Sequence, residues 1–368
     1  MSPIKDGPFD LGVEEEYQIV DPTTWELRST IHPLLKRDLE DGVSDIKAEF
    51  LQSQVETVTC ICPTVQELRT EVHRRRREAR RLAHSLGLEI AAAGTHPFSS
   101  WIEQEVTQGD RYAALAQELQ EVGRRLVSFG LHVHVGIADP DLRIQVMNRM
   151  RPFLALLLAL STSSPFFDSR FTGLHSYRTV LLSALPRTGF PPQFASWAEY
   201  QSLLETLTGA ELLANPSFIW WDARPSDRFP TLELRVFDVP TRVEETICLA
   251  AWAQALAMKL ARDPAPAPLH PIILETNRWQ AIRHGKNARL VLQRGAPARP
   301  VREWVEILMD QLVDVAEGMN SRAELEYTHR ILEEGTSADR QLQVWRETND
   351  LRAVVAHLAE EGTYAHPI

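Results

Sequence analysis

The sequence has 368 residues, 44% of them hydrophobic, with 50 Asp and Glu against 39 Lys and Arg for a formal charge of −11. That balance speaks against a phosphate-binding surface over the whole molecule, so nucleic acid is disfavoured as a partner. Three cysteines (Cys60, Cys62, Cys248) are too few and odd in number for a disulfide framework.

The opening run MSPIKDGPFDLG lacks a charged segment followed by an apolar one, and the longest apolar run, 153–160, is too short to span a bilayer. A cytoplasmic protein with no membrane partner is expected. The first predicted strand covers 10–20 and puts Glu14 and Glu16 on one face, with Val13, Glu15 and Tyr17 on the other. A second, over 47–62, carries Glu49 and Glu56 seven residues apart. An unbroken strand would point them to opposite faces, so a turn or bulge near 52–54 is expected to bring them together. Thr64 with Glu67 reads as a capping box opening a helix over 64–86. The basic run from His73 to Arg81 within it reads as a solvated face with partial Glu pairing.

A strand over 88–94 and a helix over 111–127 follow. In the strand over 130–137, His132 and His134 share a face against Leu131, Val133 and Val135. Pro140 after Asp139 opens a helix over 141–160, and Ser196 with Glu199 opens another over 198–208. The strand over 231–237 places Glu233 and Arg235 opposite Leu232, Leu234 and Val236. Thr241 with Glu244 then opens a helix over 242–262. The Pro-rich stretch 263–269 cannot continue that helix. It marks a weak boundary, near 263–271, in a single unit of 1–368. Its helical C-terminal part, 272–368, holds helices over 301–318 and 338–361.

Alternating strands interleaved with long helices indicate an α+β protein with an antiparallel or mixed sheet. Taken singly, each charged strand also reads as the wet side of a sheet. Together they are unusual, because nearly every polar-face residue is a metal-capable Glu or His. Clustered carboxylates repel and need cations or hydrogen-bond donors beside them. Oxygen-rich sites with a His suit Mg²⁺ or Mn²⁺. Arg235 beside Glu233 adds a fixed positive charge suited to carboxylate or phosphate. No P-loop run and no Ser–His–acid signature is present.

The runs GVEEEYQIVD (12–21), EFLQSQVET (49–57), AAAGTHPF (91–98), HVHVG (132–136), SPFFDSRFTGLHSYR (164–178), NPSFIWWDARPSDRFPTLELRVFD (215–238) and NRWQAIRHG (277–285) resemble the carboxylate-amine ligase family, glutamate–cysteine ligase type 2, of the glutamine synthetase-like superfamily. The resemblance implies a curved antiparallel sheet flanked by helices, a glutamine synthetase/guanido kinase-like catalytic fold, whose charged face holds ATP, magnesium and an acid substrate. On it, Glu14, Glu16, Glu49, Glu56, His132 and Glu233 match metal ligands. Glu14 and Glu16 serve separate clusters, Glu49 and Glu56 complete the first, and His132 and Glu233 belong to the second. His134, Arg235, Arg178 and, more loosely, Asp222 and Arg224 match nucleotide, phosphate or substrate contacts, with Arg235, Glu233 and Arg178 closest to the chemistry. The implied activity is ATP- and magnesium-dependent condensation of the γ-carboxylate of glutamate with an amine such as cysteine, through an acyl phosphate. Its partners are ATP and small amino acids, and a homodimer is compatible with it. The alternatives are a phosphotransferase of the same fold type and a non-catalytic nucleotide-binding protein. If the acids repel, Glu233→Gln should keep or slightly raise the melting temperature of the metal-free protein while turnover falls about a hundredfold or more. His96 reads as a strand-end histidine, His284 as a helix end, and Trp220 and Trp221 as core or cleft-wall aromatics.

Overall fold

The computed structural model describes residues 9–41, 46–226, 228–265 and 267–363. Seven strands form one open sheet: β1 (Leu11–Val20), β2 (Ile46–Ala48), β3 (Gln54–Val58), β4 (Glu89–Ala91), β5 (Gly130–Gly136), β6 (Ala223–Pro225) and β7 (Thr231–Asp238). They run β6-β7-β5-β1-β3-β2, every neighbour antiparallel, with β4 beside the C-terminal end of β1. The fold is therefore α+β with an antiparallel sheet, as the alternating strands predict.

Helices α1 (Ile31–Glu40), α2 (Val65–Ser85), α3 (Asp110–Arg124), α4 (Pro140–Met150), α5 (Leu154–Ser161), α6 (Tyr177–Leu182), α7 (Trp197–Gly209) and α8 (Val243–Arg262) surround it. Beyond them lie α9 (Pro271–His284), α10 (Val301–Gly318), α11 (Arg322–Glu334), α12 (Ser337–Thr348) and α13 (Leu351–Glu361). Helix α8 packs behind β1 and β5 and is buried along nearly its whole length, as an all-round apolar helix must be. Helix α2 packs on α8, α9 on α5, α11 on α8 and α13 on β4. One buried apolar cluster runs from Phe9 to Ala359 and includes residues from both sides of the Pro-rich stretch.

Several local signals act as read. Thr64 accepts from the Glu67 N–H, Ser196 from Glu199, and Asp139 from Asp141 and Leu142. The cap of α8 sits one residue later than the Thr241 signal: Arg242 is the N-cap and its N–H reaches Glu245. Thr241 instead binds the Ala92 carbonyl and Ser337. The predicted helix over 141–160 is two, because the 3₁₀ turn Arg151–Phe153 carries Pro152 between them. The one over 338–361 is also two, split where Asn349 turns left-handed and Asp350 caps α13. Helices α1 and α6 are not among the predicted helices, while α9 and α11 fall in the predicted helical C-terminal part without bounds of their own, α9 ending at His284 as expected.

The basic run of α2 is mostly paired, as expected, with partners Glu71, Glu78, Glu89 and Asp41. Arg76 is the departure. It lies under the sheet at 5% exposure and bonds Glu15. Glu15 also accepts from Tyr17 and Thr246, which explains a carboxylate on the packed face of β1. All three cysteines are free.

Candidate active site

Strand geometry gathers the charged side chains on one face. Register places Glu14 opposite His132, Glu16 opposite Glu56, and His134 opposite Glu233, which is itself opposite Arg224. Each pair is directly cross-strand, so these groups meet although they are far apart in the chain. The expected interruption between Glu49 and Glu56 is present: β2 ends at Ala48, the chain turns, and β3 begins at Gln54 with Lys47 facing Glu56.

The face divides into two regions. In the first, Glu16, Glu49 and Glu56 lie close enough to act on one another. Burial and the Glu49 charge raise the Glu16 carboxyl to about 7. Burial and then the charges of Glu49, Glu14 and Glu16 push Glu56 well up. Glu49 is also raised, chiefly by burial, with Arg111 opposing and Glu14 adding to the shift. Such a set is uncomfortable without a cation, and carboxylate oxygens are the ligands magnesium prefers.

In the second region, Glu14, His134 and Glu233 bring one ligand atom each within 4.8 Å of one another. His134 Nδ1 bonds Thr231 Oγ1 at 2.9 Å, leaving the buried Nε2 without a hydrogen-bond partner, 3.6 Å from Glu14 Oε1. A histidine held through one nitrogen with the other free is the usual posture of a metal ligand. The resemblance gave the ligand role to His132 and a phosphate role to His134; the three-residue group contains His134. His132 Nδ1 lies 3.0 Å from Glu14 Oε2 and 4.0 Å from Glu233 Oε1. Burial and then the Arg235 charge bring its pKa down to about 4. Glu14 is lowered because its two histidines outweigh burial.

Glu233 is 3% exposed and is bracketed by arginines. Arg224 Nε donates to its Oε2 at 2.8 Å, and Arg235 Nη1 donates to Oε1. Against the burial penalty, Arg235 and then Arg224 hold its carboxyl well below the usual range. The repulsion expected around Glu233 is thus outweighed by its two arginines. Arg224 Nη1 also binds the Ser217 and Ile219 carbonyls, each at 2.6 Å, so this arginine is committed to the protein and positions Glu233. Between Leu234 and Phe237 the pairing with β5 shifts register, and the Arg235 N–H turns to the Asp222 carbonyl at 2.8 Å. Asp222 itself holds Arg278.

Arg178 comes from α6, outside the sheet. Its guanidinium is buried, with Nε lacking a partner and Nη1 3.9 Å from Asp238. Asp238 accepts from Ser163 N–H and from the Ser164 and Ser176 hydroxyls. Gly130 makes room for this arginine: a Cβ there would lie 2.3 Å from Arg178 Nη2. The Gly130 N–H donates to Glu16 Oε2 at 2.5 Å. The Asp238 shelf, Gly130 and Thr231 escaped the sequence reading. A hint was available in Asp238 closing the same strand as Glu233 and Arg235. Beside Glu14 and His134, a cavity of about 210 Å³ lies between Ile61 and Phe229.

His96 is a buried structural residue. Nδ1 accepts from the Ser99 N–H at 2.9 Å, and Nε2 meets the Trp25 carbonyl. Trp220 stacks on Phe218, and Trp221 packs with Phe194 and Tyr200. His284 ends α9, before Gly285 at φ 52°.

The family model described as glutamate-cysteine ligase family 2 matches residues 10–357. A Roseiflexus castenholzii protein, provisionally named glutamate–cysteine ligase 2, is 44% identical over 370 residues, 99% of this chain and 97% of that one. Among solved structures, the glutamate–cysteine ligase of Francisella tularensis in complex with AMP superposes with a TM-score of 0.73 at 14% identity, covering 96% of this chain and 88% of that one. A bifunctional glutathione synthetase from Pasteurella multocida gives 0.74 at 15%, covering 96% of this chain and 52% of its own. At such identities the likeness concerns the fold. No helix among the described residues is long and apolar enough to cross a membrane.

Proposed function

The chain belongs to glutamate–cysteine ligase family 2, and from that premise we propose that it is an ATP- and magnesium-dependent carboxylate–amine ligase. Its acid substrate is glutamate, joined through the γ-carboxylate to an amine such as cysteine, in a single catalytic unit. The observation that carries the reading is the sheet face itself. Glu14, His134 and Glu233 converge there beside the mutually repelling Glu16, Glu49 and Glu56, and Arg235 and Arg178 supply the positive charge.

A carboxylate cannot expel oxide when an amine attacks it. In the proposed reaction a carboxylate oxygen attacks the γ-phosphorus of ATP, forming a C–O–P bond and releasing ADP. The amine nitrogen then attacks the acyl carbon, the bond to phosphate breaks, and the nitrogen loses its proton to solvent. Magnesium held by the two carboxylate groups, with His134 or His132 beside Glu14 and Glu233, would neutralise charge on the transferring phosphoryl group. The protein's own residues orient and stabilise. Arg235, fixed by Glu233, presents its guanidinium to phosphate oxygens. Arg178 keeps its unpartnered Nε for an anion. Thr231 sets the His134 ring, and the apolar cavity beside it takes the adenine. Preorganised charge of this kind is worth about 3–4 kcal/mol of barrier per contact.

The test is a screen of amino-acid pairs with ATP and magnesium, reading condensed products by mass spectrometry alongside ADP and phosphate. One new amide with equimolar ADP and phosphate supports a ligase. ADP with a stable phosphorylated acid and no amide supports a phosphotransferase. ATP binding that is equally tight in excess chelator contradicts the metal assignment.

A further inference from the structure

Arg151 begins the 3₁₀ turn between α4 and α5. It is 8% exposed, and its side chain makes no hydrogen bond or ion pair among the described residues. Four other buried arginines are hydrogen-bonded or ion-paired: Arg76 reaches Glu15, Arg143 the Ile137 carbonyl, Arg278 Asp222, and Arg340 Glu245. A guanidinium cannot shed its proton to escape burial. Its Nε is sealed from solvent without a partner, and a buried donor left unsatisfied is costly. Only burial acts on its pKa, downward, with no carboxylate opposing it.

Arg151 faces a cavity of about 250 Å³ between the end of α4, the Pro-rich segment and the start of α9. No residue lining it belongs to the central sheet, so it is separate from the charged face. The lining contains a second arginine, Arg149, and no Asp or Glu among the described residues. Arg149 Nη1 binds the Leu260 and Asp263 carbonyls and so ties α4 to the end of α8. The rest of the wall is mixed: Pro152, Pro268, Leu269 and Leu274 are apolar, Gln145 and Asn148 are polar, and Gln193 stands exposed among the lining residues.

We propose that this cavity is a second ligand site, which takes a small oxyanion on the Arg151 guanidinium. A planar fork pairs with carboxylate or phosphate oxygens, and both sources share that chemistry. The volume admits an amino-acid-sized molecule, and the apolar part of the wall, Pro152, Pro268, Leu269 and Leu274, suits the body of a small carboxylic acid. The site does not rest on the ligase reading.

The experiment uses the full chain without nucleotide and in excess chelator. Inorganic phosphate and, separately, butyrate are titrated at constant ionic strength, and binding is read by calorimetry and thermal melts. The expected result is saturable binding of at least one of them. It should weaken at least tenfold in Arg151→Met. Because that variant removes a buried group, Gln193→Glu serves as the second: Arg151 is kept and a carboxylate is placed on the cavity wall to compete, again weakening binding. Phosphate alone binding assigns a phosphate site, and butyrate alone a carboxylate site. No saturable binding by the wild type, or binding unchanged in the variants that fold, overturns the proposal.

Discussion

Replacing Glu233 by glutamine removes the carboxylate that Arg224 and Arg235 share. All three groups are largely buried, and Glu233 is 3% exposed. The amide keeps one acceptor but turns an N–H₂ toward a guanidinium, leaving two cations poorly compensated. Breaking a buried pair from one side costs roughly 3–5 kcal/mol, a large part of the 5–15 kcal/mol that holds a typical domain. The charge acts in a definite direction. The Glu233 carboxyl titrates below its unfolded value of about 4.3. Its stabilisation is therefore present above that value and fades as pH falls through the folded one. At pH 8 the full cost should appear. Glu56→Gln on the same face should do the reverse, since its carboxyl is pushed up by burial and by three neighbouring acids. Losing that charge in metal-free protein should be neutral or gain on the order of 0.5–2 kcal/mol. Urea unfolding at pH 8 in excess chelator measures both. Equal destabilisation by the two variants, or a neutral Glu233→Gln, would refute this account of the face.

Other outcomes follow from the same geometry. Arg235→Lys keeps the charge but loses the fork, so turnover should fall about a hundredfold or more with the melting temperature nearly unchanged; steady-state kinetics beside melts checks it. Gly130→Ala drives a methyl into Arg178 and should raise KM for the acid or lower kcat while circular dichroism stays native. His96 is held neutral by burial, its pKa down to about 3. Below about 6.5 the unfolded chain takes up a proton that the folded one refuses, so stability should drop by about 2 kcal/mol between pH 7 and 5. His96→Asn, less stable overall, should show that much less pH dependence in urea midpoints. Leu234→Ala, on the packed face of β7, should cost about 2–5 kcal/mol, with unfolding curves as the measure.

The period of two along a strand is a local property, and it was legible. It put Glu14 with Glu16, His132 with His134, and Glu233 with Arg235 on shared faces without any knowledge of neighbours. Caps were legible for the same reason, since Thr64 and Glu67 need only each other's backbone. The odd spacing of Glu49 and Glu56 even announced the hairpin turn between β2 and β3. What stayed hidden depends on groups distant in the chain. Register decides that His134, not only His132, meets Glu14 and Glu233. Arg224 turns Glu233 from a repelled acid into a paired one, which reverses the expected effect of Glu233→Gln. Arg178 reaches the face from α6, through space that Gly130 leaves open. Arg76 and Arg151, alike in sequence as polar residues of helical segments, are both buried, one against Glu15 and one against a cavity. Local pattern fixes which way a side chain points along its own strand or helix. What it meets there, and hence its charge state, is set by packing between segments that the pattern does not relate.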